Sequence, residues 1–343
     1  MKSSNYLRAL TSACLVLGLS ACGSSSDEPT DSQQTSDVSL RFSDAAIEDL
    51  SEVVITVDQL VFSREGQDDI TVDTFTSDEL GIEDAETFTI DLLEVQGKDN
   101  RLVLDSVTLP VGDYQNLSVV VLDEDEALTY AHETVSNEDK PIKVPSDRLK
   151  LGAFSVSADS SQTFVVEFGL RQAMTYNPGP DRYILKPRGV RIVRLEDAST
   201  IQGTVNLTNI HLDDTCSSKL DSTVGNVAYL YEGHDLDVSL LGDVFVREDE
   251  DTENTEVDEN VAANIIAPLA ATGINGTTGD YLFSYLDAGE YTLAISCNAE
   301  ADDPVMHDGF AIPSPAGELI EINLATETEL QCDFPTDSSC TAL

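Results

Sequence analysis

Apolar residues take every second position in short runs along most of the chain, and runs with helical spacing are few. In TFVVEFGL, Phe164, Val166 and Phe168 share one face, the pattern of a half-buried strand. EVVITVDQLVF, ETFTIDLL, NLSVVVL and YILKPRGVRIV read the same way, as β-branched or aromatic runs closed by Gly, Pro, Asp and Asn. After STIQGTVNLTN come NVAYLYEG, DVSLLGDVFV, GDYLFSYL and YTLAISC, again of strand length. Helix-period stretches are limited to DAAIEDL from Asp44 and SDRLKLG from Ser146. Many short strands bury their apolar faces most simply as sandwiches, so the pattern predicts an all-β protein. We expect two antiparallel β-sandwich domains in tandem, residues 38–197 and 198–328, with a disulfide-bearing tail at 329–343.

LPVGDY, Leu109–Tyr114, is echoed by LDAGEY, Leu286–Tyr291, each with a Gly in a tight turn and a Tyr opening a strand. A single six-residue match reads as one corner solved twice and not as a duplication. REDEDTENTEVDEN, Arg247–Asn260, is too charged to pack and is expected to be a mobile loop.

The N-terminus departs from this pattern. MKSSNYLR carries Lys2 and Arg8 without an acid, and the apolar run ALTSACLVLGL that follows is far short of the roughly 20 residues of a membrane span. LSAC, Leu19–Cys22, then resembles the bacterial lipobox, which implies removal of residues 1–21 and acylation of Cys22. The alternative is an ordinary secretory leader that leaves Cys22 a free thiol; Cys14 is lost either way. Several acyl chains would make the anchor effectively permanent. Gly23 in place of Asp resembles the outer-membrane sorting pattern. Residues 22–37 hold no stretch able to join a core, so they are expected to form a disordered tether reaching about 20 Å. The expected setting is a lipid-anchored outer-membrane protein, facing the periplasm or the exterior.

Charge narrows the partners. With 18 Lys and Arg against 64 Asp and Glu, the formal charge is −46, so nucleic acid is a poor partner and anionic lipid is repelled. Contact with the bilayer should run through acyl chains alone. Cys216, Cys297, Cys332 and Cys340 remain besides Cys22, an even number that favours disulfides in an exported protein. Three connectivities exist; Cys297 lies in phase with Tyr291, Leu293 and Ile295, which favours Cys216 with Cys297 and Cys332 with Cys340.

Several spaced blocks now carry a family resemblance. SLRFSDAAIEDLSEVVITVDQLVF, FTIDLLEVQGKDNRLVLDSVTLPVGDYQNLSVVV, IKVPSDRLKLG and GLRQAMTYNPGPDRYILKPRGVRIV resemble, in order, domain of unknown function 4382 of bacterial lipoproteins, over about residues 38–195. Ala46 stands where members often have proline. IQGTVNLT and TTGDYLFSYLDAGEYTLAI resemble the prealbumin-like, carboxypeptidase-regulatory-like class of sandwich, related to starch-binding-like folds. Neither resemblance implies catalytic residues.

No catalytic constellation stands out. His132, His211, His234 and His307 lack metal-ligand spacing, the cysteines lack C-x-x-C spacing, and no nucleophile elbow, Walker loop or dinucleotide fingerprint occurs. Acidic clusters around Asp123, around Asp249 and at Asp302, Asp303 and Asp308 offer oxygens of the kind calcium uses, yet none fits an EF-hand loop. We assign no metal and no cofactor. Arg182, Lys186, Arg188, Arg191 and Arg194 could meet an anion, but pairing with neighbouring carboxylates is the expected use. There is no Trp to form a glycan platform; Tyr130, Tyr176, Tyr183 and Tyr285 are the substitutes. The chain therefore reads as a non-catalytic envelope lipoprotein, a binding or structural module for a glycan or envelope-protein partner. A surface carbohydrate-binding or adhesion lipoprotein is the alternative, and a hydrolase accessory or cryptic enzyme the third reading.

Overall fold

The strand Ser161–Gly169 organises the first half of the molecule. In the computed structural model Phe164, Val166 and Phe168 enter the main core, as their alternation predicts. The opposite face is covered as well: Val165 packs with Val193 and Tyr285, and Glu167 is 1% exposed. A strand expected to be half-buried is thus buried on both sides. The structure describes residues 34–45, 50–123, 127–159, 161–244, 264–300, 302, 307–335 and 340–343. The segment read as a signal, Cys22, most of the expected tether and the acidic stretch 247–260 lie outside them.

The architecture is all-β. One sheet runs Arg191–Arg194, Ser161–Gly169, Thr35–Ala45, Arg101–Pro110, with Thr35–Ala45 and Ser161–Gly169 parallel and the other pairs antiparallel. A larger sheet is built on Leu50–Ser63, which pairs with Asn116–Val121, Tyr130–Glu133 and Phe88–Asp91. Between these sheets lies an aromatic core in which Phe42 meets Phe88 and Phe168 edge to face, and Tyr114 stacks on Phe154.

Beyond residue 198 two four-stranded sheets pack around a second core. The first runs Asp280–Leu286, Ser199–Thr204, Glu329–Gln331, Thr341–Ala342; the second runs Ala270–Gly273, Val227–Glu232, Gly289–Ser296, Leu319–Leu324. Cys216 is bonded to Cys297 and Cys332 to Cys340, the first three of these buried within the core. Sheets in both halves are mainly antiparallel, but among the described strands three pairings are parallel.

Several local expectations change. The described part of DVSLLGDVFV, residues 237–244, forms no strand: Asp237 accepts the Ser239 amide and starts a single 3-10 turn, Val238–Leu240, which draws the backbone out of extended form. YILKPRGVRIV is two strands, Arg182–Leu185 and Arg191–Arg194, separated where Pro187 lacks a donor and Gly189 takes φ +64°. DAAIEDL gives no helix at its described ends, since Asp44 and Ala45 close one strand and Leu50 opens the next. At SDRLKLG a 3-10 turn, Pro145–Asp147, is followed by the strand Arg148–Lys150. The echoed corner is physical: Tyr114 donates to the Pro110 carbonyl and Tyr291 to the Asp287 carbonyl, each at 2.9 Å and four residues back. Among the described residues, no helix is long and apolar enough to cross a membrane.

Candidate functional site: the cleft between the two halves

The two halves form one compact unit, and the polar groups at their junction define the candidate site. Tyr285, at φ +49°, sends its hydroxyl into the first half, where it donates to the Lys98 carbonyl at 2.6 Å and accepts from Asn100 Nδ2 at 2.7 Å. Lys98 bridges to Glu329 at 2.8 Å on the exposed rim. Arg191 Nη2 donates to the Ser284 carbonyl at 3.1 Å and lies 3.9 Å from Glu167. From the short helix Leu170–Ala173, Arg171 Nη2 reaches Asp302 Oδ2 at 2.6 Å. The Tyr229 hydroxyl donates to that same oxygen at 2.8 Å.

These contacts border a cleft of about 1170 Å³, whose walls include Gln96, Glu167 and Arg171 from the first half and Gln202, Ser284 and Asp302 from the second. Three polar atoms of its wall residues lie beneath its surface. Glu167 Oε2, Ser284 Oγ and Asp302 Oδ1 are out of solvent contact and have no hydrogen-bond partner. Next to the wall residue Ala45, Asp44 is buried beside Glu167, with the Leu170 amide and Gln96 partly offsetting its burial. An unmet buried acceptor costs about 1–3 kcal/mol, and more when charged.

The electrostatics follow from burial. Glu167 is pushed up to about 7, chiefly by desolvation, with Arg191 and Ser43 pulling the other way. Asp44 stands well above the usual carboxylate range because it is buried and faces Glu167. Asp302 is raised by burial despite its bond to Arg171.

Of the acidic clusters, the structure brings Asp302 and Asp308 to Asp243, with one oxygen of each within 4.8 Å of the others. Asp303 and Asp249 lie outside the described residues. Both oxygens of Asp243 are taken by N–H donors, at 2.7 Å from His307 Nδ1 and 2.9 Å from the Asp308 and Gly309 amides. Asp302 Oδ2 is taken by Arg171 and Tyr229, so the group works as a loop anchor. Asp123 is likewise internal, accepting the Val144 amide at 2.6 Å and paired with Lys143.

The histidines are dispersed: His132 meets Asp139, His211 the Cys216 carbonyl, His234 the Ile322 carbonyl and His307 Asp243. In the basic stretch, Arg191 faces Glu167 and Arg194 pairs with Asp159 and Glu196, while Lys186 and Arg188 are buried. Tyr285 is withdrawn from any glycan platform by its burial. Tyr130 is tied to Glu52, a bond that raises its hydroxyl to about 12. Tyr176 is exposed beside Tyr183, ring centroids 5.2 Å apart and tilted by 53°. Of the cleft residues the sequence singled out Asp302 but not Glu167, Arg171 or Ser284; the one signal for Glu167 is a polar side chain inside a strongly apolar strand, TFVVEFGL.

No curated protein matches the sequence. Among solved structures the chain is similar to the Bacillus anthracis TIE protein at 9% identity and TM-score 0.19, with 90% of this chain and 34% of that one covered. A leucine-rich repeat protein from Bacteroides thetaiotaomicron gives 11% and 0.21, over 88% and 26%. GBS52, the minor pilin of Streptococcus agalactiae, gives 11% and 0.19, over 89% and 96%. The chain spans about a third and a quarter of the first two proteins, and at these scores the likeness carries no argument. One comparison is specific: residues 35–187, which supply the first half of the molecule and one wall of the cleft, match the family model of a domain of unknown function, DUF4382.

Proposed function

We propose that this chain is a non-catalytic binding module of the bacterial cell envelope, held to the outer membrane by acyl chains on Cys22, which takes a polar ligand into the cleft between its two halves. The observation that carries the binding role is the cleft itself, about 1170 Å³ between the two halves and walled by Glu167, Arg171, Gln202, Asp280 and Glu300. The second half, read as a prealbumin-like sandwich over residues 198–328, supplies the opposite wall. LSAC after a short apolar run supports the anchor, and the two disulfides agree with an exported chain.

Two measurements test the proposal. Growth with an alkyne fatty acid should label the protein, and Cys22→Ala should abolish the label; a label that persists removes the anchor. A thermal-shift panel of amines, neutral sugars and organic acids should contain a ligand whose stabilisation is lost in Glu167→Gln. A panel with no such ligand removes the binding role.

A surface carbohydrate-binding or adhesion role is the second reading, favoured by Tyr176, 43% exposed beside Tyr183. Retention on polysaccharide columns that falls with Tyr176→Ala would select it.

A further inference from the structure

The strand Thr341–Ala342 closes one sheet edge of the second half, and the Cys332–Cys340 cross-link fastens it there. We infer that this cross-link is a reducible latch: a dithiol opens it while Cys216–Cys297 stays shut, and the strand then leaves the edge that braces one wall of the cleft. The inference goes beyond the binding role and holds whatever the cleft takes. Access separates the two disulfides. Cys216, Cys297 and Cys332 are all buried in the second core. Cys340, alone of the four, is partly exposed, which gives an attacking thiolate its approach. The reagent's thiolate bonds to Cys340 Sγ, the bond between the two sulfurs breaks, and Cys332 leaves as a thiolate that takes a proton. The reagent's second thiol then frees Cys340, so the protein disulfide is reduced to two thiols and the dithiol is oxidised to a disulfide.

Little besides the cross-link holds the strand in place. Thr341 and Ala342 are exposed and Leu343 is 69% exposed, so none of these side chains is withdrawn from water. Pairing runs over two register positions, Leu330 with Ala342 and Gln331 with Thr341, and the Leu343 amide adds one bond to the Glu329 carbonyl at 3.0 Å. Exposed peptide hydrogen bonds return little on balance, because water replaces them, and release of the residues recovers their conformational freedom. Once Cys340 is free, the balance favours the detached strand.

The covered edge leads to the cleft. On the inner side of Glu329–Gln331, the Cys332 amide donates to the Gln202 carbonyl at 2.8 Å. Main-chain groups alternate in direction along a strand, so those of Glu329 and Gln331 face the outer strand, as the bond from Leu343 to Glu329 shows. Gln331 is a wall residue of the cleft, and its Oε1 accepts from Gln202 Nε2, another wall residue, at 3.4 Å. Loss of Thr341–Ala342 therefore leaves Gln331 held from one side and turns Glu329–Gln331 into an open edge.

The test uses the full-length protein held in detergent, with dithiothreitol under native conditions as the dithiol. Trapping with iodoacetamide and peptide mass mapping should show Cys332 and Cys340 alkylated more than about ten times faster than Cys216 and Cys297. Hydrogen exchange read over residues 329–331 should then rise more than about tenfold, and reoxidation should restore the slow rate. Exchange in Leu319–Leu324, on the other sheet, should not change. Cys332→Ala/Cys340→Ala should exchange like the reduced protein while keeping cooperative unfolding. Both disulfides opening at one rate, Cys216–Cys297 opening first, or neither opening short of global unfolding overturns the latch. So does exchange at 329–331 that stays slow once Cys332 and Cys340 are alkylated, which would show that pairing alone holds the strand.

Discussion

Glu167 should make this protein lose stability as the solution is made more alkaline. Its carboxyl is raised from an ordinary value near 4.5 to about 7 by burial. Between those values the folded state holds a proton that the unfolded chain has released, so stability falls as pH rises through that window. One pKa unit is about 1.4 kcal/mol, so the full effect is about 3 kcal/mol, present below the unfolded value and gone above the folded one. With a pI near 4.1, the practical lower limit is pH 5, and the part of the effect lying between pH 5 and pH 8 is about 2.5 kcal/mol. Glu167→Gln removes the titration but keeps the shape. Exchanging the protonated acid for an amide shifts the variant by an amount that does not depend on pH, and the attraction of the ionised acid to Arg191 is already contained in the value of about 7, so the quantity to read is the change in the difference between the two proteins. There is no Trp, so urea unfolding is followed by far-ultraviolet circular dichroism. The variant should gain about 2.5 kcal/mol on the wild type from pH 5 to pH 8. Curves that stay parallel would show that Glu167 is solvated or paired in the native protein, and the account of the cleft would lose its central residue.

Other perturbations follow from the same junction and from the cross-links. Arg171→Met should cost about 3–5 kcal/mol by leaving Asp302 buried beside Tyr229 alone, and Arg171→Met/Asp302→Leu should regain most of it in urea titrations. Tyr285→Phe removes the hydroxyl bonded to Lys98 and Asn100, so a loss of about 1–2 kcal/mol is expected in the same assay. Closing the loop from Cys216 to Cys297, 81 residues apart, is worth about 4.5 kcal/mol of chain entropy, against about 2.5 for Cys332 to Cys340, 8 apart. Cys216→Ala/Cys297→Ala should therefore lower the melting temperature more than Cys332→Ala/Cys340→Ala; the reverse order would refute this.

The strands were legible because their signal is local. In Ser161–Gly169 the period of two names the core-facing residues Phe164, Val166 and Phe168 directly. Cys297 was legible for the same reason, since Tyr291, Leu293 and Ile295 set the face on which it is buried. DVSLLGDVFV misled because Val and Leu favour strand by composition while one side-chain bond from Asp237 decides the turn. Parallel pairing of Thr35–Ala45 with Ser161–Gly169 joins segments more than a hundred residues apart, and no local pattern encodes it. Asp302 sat in a stretch already marked as acidic, but its true neighbours, Arg171 and Tyr229, come from distant parts of the chain.

The same alternation that reveals a sandwich conceals its junctions. A strand with one face in a core carries polar residues on the other, and nothing in the run itself tells whether water or a second sandwich will meet them. In Ser161–Gly169 the outward positions are Val165 and Glu167. The first is suited to being covered and packs against Val193 and Tyr285. The second is not, and an apolar residue of similar volume would remove an unmet buried acceptor. Asp44, paired in register with Phe168 on the neighbouring strand, doubles the conflict by placing another carboxyl beside it. Stability alone favours neither residue, since burial raises both and Arg191 is too far from Glu167 for a hydrogen bond. A local rule broken without repayment inside the fold belongs to function more readily than to stability, and Glu167 stands on the wall of the cleft between the two halves.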